Sequence, residues 1–259
     1  MGRSPNRPMP YSLPALLRPT LACVALIAAG CASAQPRMAP LVIPLETRQL
    51  VLVVTPGWEA TAGTLRRFTR EAEGAAWTEV GEPIPVVVGR SGLGWGRGLH
   101  PEGLDGPGKR EGDGRAPAGV FPLTEVFGYA REAATGLPYR PATPDLECVD
   151  DVASAHYNEV LDRSSVEPDW GSHEEMRRDD DLYRLGVVVA HNQPAEPGAG
   201  SCIFLHVWAG PHSTTSGCTA MTSDAMDAVA AWLDADAAPV LVQLPEAEYA
   251  RLKTPWALP

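Results

Sequence analysis

Short apolar runs separated by segments rich in proline and glycine dominate the chain from residue 48 onward. The clearest runs cover residues 50–54, 84–88, 184–191 and 240–242. Apolar runs of this length between turn-forming residues favour β-strands. Pro85 predicts an edge position for the second run, because proline has no amide hydrogen to donate to a neighbouring strand.

Residues 201–208 predict a strand whose two faces differ. One face carries Ile203, Leu205 and Val207, and the other carries Cys202, Phe204, His206 and Trp208. Side chains alternate between the faces of a strand, so His206 lies on the face opposite the aliphatic residues.

Helical signals are few. Thr222 or Ser223 predicts the start of a helix that runs to about Leu233. The capping-box sequence of residues 172–175 predicts a second, short helix. Residues 64–80 fit helix and strand equally, and the segment after residue 242 is expected to be a polar tail. The pattern predicts a mainly β (α+β) fold with one or two short helices.

The segment 89–119 carries 11 of the chain's 25 glycines. A loop of this length inside a compact domain is usually functional or disordered. Its glycines lack the G-x-G-x-x-G spacing and no helix is predicted after them, which excludes a dinucleotide-binding loop.

The N-terminal segment predicts export. Basic residues precede a short apolar run, Leu21–Ala29, that is shorter than the roughly 20 residues of a membrane span. Cleavage before Cys31 would leave a lipidated cysteine, whereas cleavage after Ala34 would release a soluble form. We expect residues 1–34 to be an export signal, 35–47 a tether and 48–259 a single catalytic domain, placed in the periplasm or anchored to the outer membrane.

The net charge limits the possible partners, and the cysteine content indicates the chemistry. Without the signal the chain has 18 basic and 32 acidic residues, a net charge of −14, which argues against a nucleic-acid partner and against direct binding to anionic lipid. A lipid at Cys31 would then be the sole membrane contact. Cys148, Cys202 and Cys218 remain, and an odd number of thiols in an oxidising compartment suggests one disulfide and one reactive thiol. We predict the disulfide between Cys148 and Cys202.

The chemistry is expected where a strand ending in a histidine is followed by a Gly-Cys turn. His206 is the candidate base for the Cys218 nucleophile, which reacts as a thiolate. Backbone amides around Ser216 and Gly217 are candidates for binding an oxyanion. His191 and His212 are rival bases, and His191, Tyr157, Asn158 and Trp208 are candidates for the cleft wall. No cofactor or metal is expected. A zinc site built from Cys202, His206, His212 and Cys218 has suitable ligand types, but its spacing does not match common zinc motifs.

The stretch from His206 to Cys218 resembles the catalytic motif of the L,D-transpeptidase (YkuD-type) domain, with Thr215-Ser216-Gly217-Cys218 matching its second half. Residues 109–121 resemble the family's K-x-G-D-G-x-T-P-x-G-x-F stretch. The resemblance spans about residues 48–244. It implies a sandwich-like domain in which the cysteine attacks the L–D bond of a peptidoglycan stem peptide and transfers the acyl group to a neighbouring stem's amine.

The motif departs from the family at several positions. Ser216 replaces a frequent histidine, and Ala220 replaces an asparagine or arginine. Hydrolysis of the same bonds, as in an L,D-carboxypeptidase, and a non-catalytic cell-wall-binding lipoprotein are the alternative functions.

Overall fold

The computed structural model describes residues 42–259. The predicted export signal, the lipidation candidate Cys31 and the first residues of the tether lie outside this range. Val42 and Ile43 are buried in the main hydrophobic core, and Thr47 is fully buried. The packed domain therefore includes residues 42–47, which the sequence assigned to the tether.

Strands account for most of the regular structure, which confirms the mainly β fold class. The strands are β1 Gln49–Thr55, β2 Ala62–Thr69, β3 Thr78–Val87, β4 Leu93–Trp95, β5 Ala116–Gly128, β6 Tyr139–Pro141, β7 Leu146–Val149, β8 Val160–Asp162, β9 His173–Glu175, β10 Leu185–Val189, β11 Phe204–Val207, β12 Thr219–Met221 and β13 Val240–Pro245. The helices are α1 Ser223–Trp232 and α2 Glu246–Leu252.

The main sheet closes on itself through β5. Its strand order is β10-β11-β12-β3-β2-β1-β13-β5, and β5 also pairs with β10. Residues 119–122 of β5 pair with β13, and residues 123–128 pair with β10. The single long strand β5 thus connects β13 to β10 and closes the sheet, as strands that switch sheets do at the corners of packed β-structures.

The core fills the interior of this closed sheet. β1 and β13 run parallel as near-continuous apolar segments, as expected for strands covered on both faces. β3 lies between β2 and β12, but its pairing with β12 is limited to Val87. Pro85 therefore has a ladder partner on β2 alone, which agrees with its predicted edge character.

One of the two predicted helices is confirmed, the other is a strand, and a helix forms where a tail was expected. α1 begins after Thr222, whose side chain caps the amide of Ala225, as predicted. The capping-box segment at residue 172 instead forms β9, because pairing with β7 overrides the local signal. Likewise the expected tail after residue 242 is wrong, since β13 continues to Pro245 and α2 follows.

A smaller sheet of order β8-β7-β9 stands beside the closed one. It carries Cys148 on β7 and Glu174 on β9, directly opposite each other in the register. None of the helices within residues 42–259 has the length and apolar character needed to cross a bilayer.

Candidate active site

The turn before β12 holds Cys218 through one threonine side chain. The Thr215 hydroxyl donates to the Cys218 carbonyl at 2.6 Å and accepts the Gly217 amide at 3.2 Å. A Cβ on Gly217 would lie 3.1 Å from the Arg115 carbonyl oxygen, so the absence of a side chain allows the turn to pack closely on the segment before β5. The thiol is consequently fixed at the start of a buried strand.

His206 lies on β11 with its imidazole buried. Its Nδ1 is 2.7 Å from the Val207 carbonyl oxygen, which only accepts, so Nδ1 carries the hydrogen and Nε2 presents its lone pair. Burial lowers the pKa of His206 to about 4. The imidazole is therefore neutral near pH 7, as a general base must be.

Cys218 and His206 belong to neighbouring parallel strands. His206 pairs with Ala220, and Leu205 pairs with Thr219. Cys218 immediately precedes this paired segment and lines the same cleft as His206. At rest, Cys218 Sγ accepts the Phe204 amide at 3.4 Å and donates to the Cys202 carbonyl at 3.5 Å. Burial raises the pKa of the Cys218 thiol, so the two groups meet as a neutral thiol and a neutral imidazole.

A cleft of about 950 Å³ surrounds the thiol. Ser216, Gly217 and Trp208 line it together with Cys218 and His206. Its walls also carry charged residues, three basic and six acidic: Arg90, Lys109, Arg178, Glu111, Asp150, Glu174, Glu175, Asp179 and Asp180. The cleft can therefore accept a substrate that bears both carboxylate and ammonium groups.

The basic wall comes from the glycine-rich segment and its surroundings. Lys109 Nζ is nearly buried and pairs with Asp113 at 2.8 Å. Arg90 donates to the Ser216 hydroxyl at 3.2 Å and to the Gly112 carbonyl at 3.4 Å. Segment 89–119 is thus folded against the Gly-Cys turn.

The family model of the L,D-transpeptidase catalytic domain (YkuD) matches residues 74–242. This range is more than half of the chain and contains the whole cleft around Cys218. The chain belongs to this family. Its members are cysteine-dependent and act on peptidoglycan peptides. No curated protein and no solved structure matches the chain significantly.

Within this L,D-transpeptidase domain, neither rival base lines the cleft around Cys218. His191 is buried and fully hydrogen-bonded, since Nδ1 accepts the Arg97 amide and Nε2 donates to the Ala199 carbonyl. His212 is exposed on the loop after β11 and does not line the cleft. Of the three candidate bases, His206 is the one that lines the cleft together with Cys218.

Three residues predicted for the cleft wall lie behind it instead. His191, Tyr157 and Asn158 do not line the cleft. Asn158 donates to the carbonyls of residues 191 and 192 and accepts the Cys202 amide, so it joins separate loops. Tyr157 donates to Glu111 at 2.6 Å. Hydrogen-bonding partners distant in sequence draw these polar side chains inward, which residue type alone does not reveal.

The predicted disulfide is present in the L,D-transpeptidase domain. Cys148 and Cys202 are bonded, with their Cα atoms 5.9 Å apart. Cys218 is the free cysteine within the described range. Because the Cys202 sulfur is in the disulfide, the alternative zinc arrangement loses one of its four ligands.

Three functional candidates escaped the sequence analysis. Thr215 lies within the motif, but its residue type does not indicate a role. Glu174 lies in the capping-box sequence, and Tyr183 precedes a strand and belongs to no motif. Both reach the cleft through the packing of the small sheet against β10 and β11. Local spacing carries no signal for such contacts.

Proposed function

We propose that this protein is a peptidoglycan L,D-transpeptidase in which Cys218 is the nucleophile and His206 the general base. The observation that carries the proposal is the arrangement of a Gly-Cys turn and an oriented, neutral imidazole on adjacent strands of one cleft. Membership of a cysteine-dependent family that acts on peptidoglycan peptides supports the same chemistry.

The first half-reaction forms a thioester. A turn of the Cys218 side chain away from the Cys202 carbonyl brings Sγ towards Nε2 of His206, a tightening that is common when substrate binds to a free active site. The thiol proton passes to Nε2 as the sulfur attacks the carbonyl carbon of the L–D bond. The carbon–nitrogen bond then breaks, and His206 returns the proton to the leaving amine.

The second half-reaction transfers the acyl group. The amine of a neighbouring stem attacks the thioester, His206 removes its proton, and the Cys218 thiol is regenerated. Because the Gly217 amide is engaged by Thr215, we assign the Cys218 amide as the main oxyanion donor. Neither half-reaction as written requires a cofactor.

The polarity of the cleft supports a zwitterionic peptide substrate. Arg90 donates to the Ser216 hydroxyl, and the cleft is lined by both basic and acidic side chains, among them Lys109 and Glu174. Stem peptides carry both carboxylates and a free amine, so they match side chains of both signs. The proposal extends to an exported protein of the periplasm or outer membrane, and the intact mass of the mature protein tests whether Cys31 carries acyl chains.

Muropeptide products test the reaction directly. Purified protein incubated with tetrapeptide muropeptides should yield crosslinked dimers, and Cys218→Ala should yield none. Tripeptide monomers without dimers would show that the same site hydrolyses the bond and does not transfer the acyl group to an amine. Unchanged muropeptides in both samples, with retained binding to cell wall, would support the non-catalytic alternative instead.

A further inference from the structure

Tyr183 packs against His206 in the cleft that holds Cys218. It is buried just before β10, and its ring packs edge-on against the His206 imidazole with centroids 5.1 Å apart. Tyr183 and Cys218 belong to the same buried cluster and line the same cleft. The Tyr183 hydroxyl lowers the pKa of the Cys218 thiol, against the larger effect of burial, which raises it. Tyr183 therefore packs on the candidate base and shares the cleft of the candidate nucleophile.

Glu174 fixes the orientation of this hydroxyl. Glu174 Oε2 accepts the Tyr183 hydroxyl at 2.5 Å. The carboxyl group lies on the wall of the cleft, and burial raises its pKa. While the Cys218 thiol is protonated, the Tyr183 hydrogen is therefore held by Glu174 and is not donated to the sulfur.

The disulfide holds Glu174 in place. Glu174 pairs with Cys148 across β7 and β9, and Cys148 is bonded to Cys202 just before β11. The Cys202 carbonyl accepts from Cys218 Sγ. The disulfide thus links β7, on which the strand of Glu174 is paired, to the backbone that contacts the sulfur.

The charged and titratable groups around this pair come from several elements. Glu174, Tyr183 and Lys109 shift the pKa of the Cys218 thiol, and His206 lines the same cleft. The groups that face Glu174 are Tyr183, Asp150, Arg178 and Glu111. Negative charge on Glu174 opposes the thiolate, whereas the Tyr183 hydroxyl and Lys109 favour it.

We propose that Glu174 and Tyr183 form a positioning pair for the Cys218 nucleophile, in which Tyr183 presents its hydroxyl to the sulfur and Glu174 holds that hydroxyl and sets the charge beside it. The proposal rests on the proposed function of Cys218. When the thiol proton passes to His206, the Tyr183 hydroxyl turns from Glu174 to the thiolate. No O–H bond breaks in this turn, and the Cys218 proton is the single proton transferred.

Alkylation of Cys218 by iodoacetamide as a function of pH tests the pair without any substrate. The full chain is used, and the peptide that contains Cys218 is quantified by mass spectrometry. Glu174→Gln keeps an acceptor for Tyr183 but removes the charge. We expect its alkylation profile to move to lower pH by about one unit, which is about a tenfold faster reaction at a fixed pH below the thiol pKa.

Tyr183→Phe is expected to act in the opposite direction. It removes the hydroxyl that favours the thiolate, so alkylation should be about tenfold slower at the same pH. Glu175→Gln is the matched control, since it makes the same charge change on the same strand at an exposed side chain. Its profile should shift much less than that of Glu174→Gln.

Alkylation profiles of Glu174→Gln and Tyr183→Phe that coincide with that of the wild-type protein would overturn the proposal. If one variant does not fold, the other decides, because the two shifts have opposite signs. Shifted profiles in a protein that forms no muropeptide product would leave the positioning pair standing and reject the proposed function. Normal crosslinking with unshifted profiles would leave the proposed function standing and reject the positioning pair.

Discussion

The residue scale is where the candidate site departs most from a simple thiolate–imidazolium pair. Burial raises the pKa of the Cys218 thiol and lowers that of His206 to about 4, so both groups are neutral near pH 7. In the proposed reaction, the proton moves as the sulfur attacks the substrate carbonyl. Such a site depends on accurate placement of the sulfur more than on its resting charge.

Thr215 is the residue on which this placement depends. Thr215→Val removes the hydroxyl that bonds to the Cys218 carbonyl and the Gly217 amide. We expect kcat/KM for muropeptide crosslinking to fall by roughly 100-fold, as for a displacement of the reacting group by about 1 Å. Thr215→Ser keeps the hydroxyl and should restore most of the activity. A Val variant as active as the Ser variant would contradict this role.

At the scale of elements, the disulfide ties the small sheet to β11. The bonded cysteines are separated by 54 positions. Closing a loop of this size is worth about 4 kcal/mol in the chain-entropy model. We expect Cys148→Ala/Cys202→Ala to lower the free energy of unfolding by about this amount in urea titrations.

Reduction supplies the control for that experiment. A thiol reductant should destabilise the wild-type protein by a similar amount and leave the double variant unchanged. Equal stabilities of the wild-type protein and the double variant would show that the small sheet holds its place through β-strand pairing and packing alone.

At the scale of the whole molecule, two buried imidazoles make stability depend on pH. Burial lowers the pKa values of His191 and His206 to about 4 from the ordinary value of 6.5. Between these values the unfolded chain binds more protons than the folded one, so stability falls as pH falls. From pH 7 to pH 5 each imidazole should cost about 2 kcal/mol.

Urea titrations at pH 7 and pH 5 measure this loss. Glu174 opposes it in part, because its raised pKa favours protonation in the folded state. His212→Ala serves as the control, since this variant removes an exposed imidazole and leaves both buried ones in place. A free energy of unfolding that is constant or rises between pH 7 and pH 5 would contradict the burial of the two neutral imidazoles.

The sequence by itself predicted the elements whose signals are local. Apolar runs predicted β1, β10 and β13, and the Thr222 cap predicted α1, because strand burial and helix capping depend on residues that are close in sequence. The same locality made the Gly-Cys turn and the alternation of β11 visible, and with them Cys218 and His206. The disulfide followed from counting thiols.

Tertiary structure alone decided what depends on contacts between distant segments. β9 forms where a helix cap was expected, because pairing with β7 outweighs a capping box of four residues. His191, Tyr157 and Asn158 turned away from the cleft towards buried partners, while Glu174 and Tyr183 were brought into the cleft that holds Cys218. The environment of these side chains is set by the closure of the sheet through β5 and by the packing of the small sheet, which join segments far apart in sequence and so have no local sequence signature.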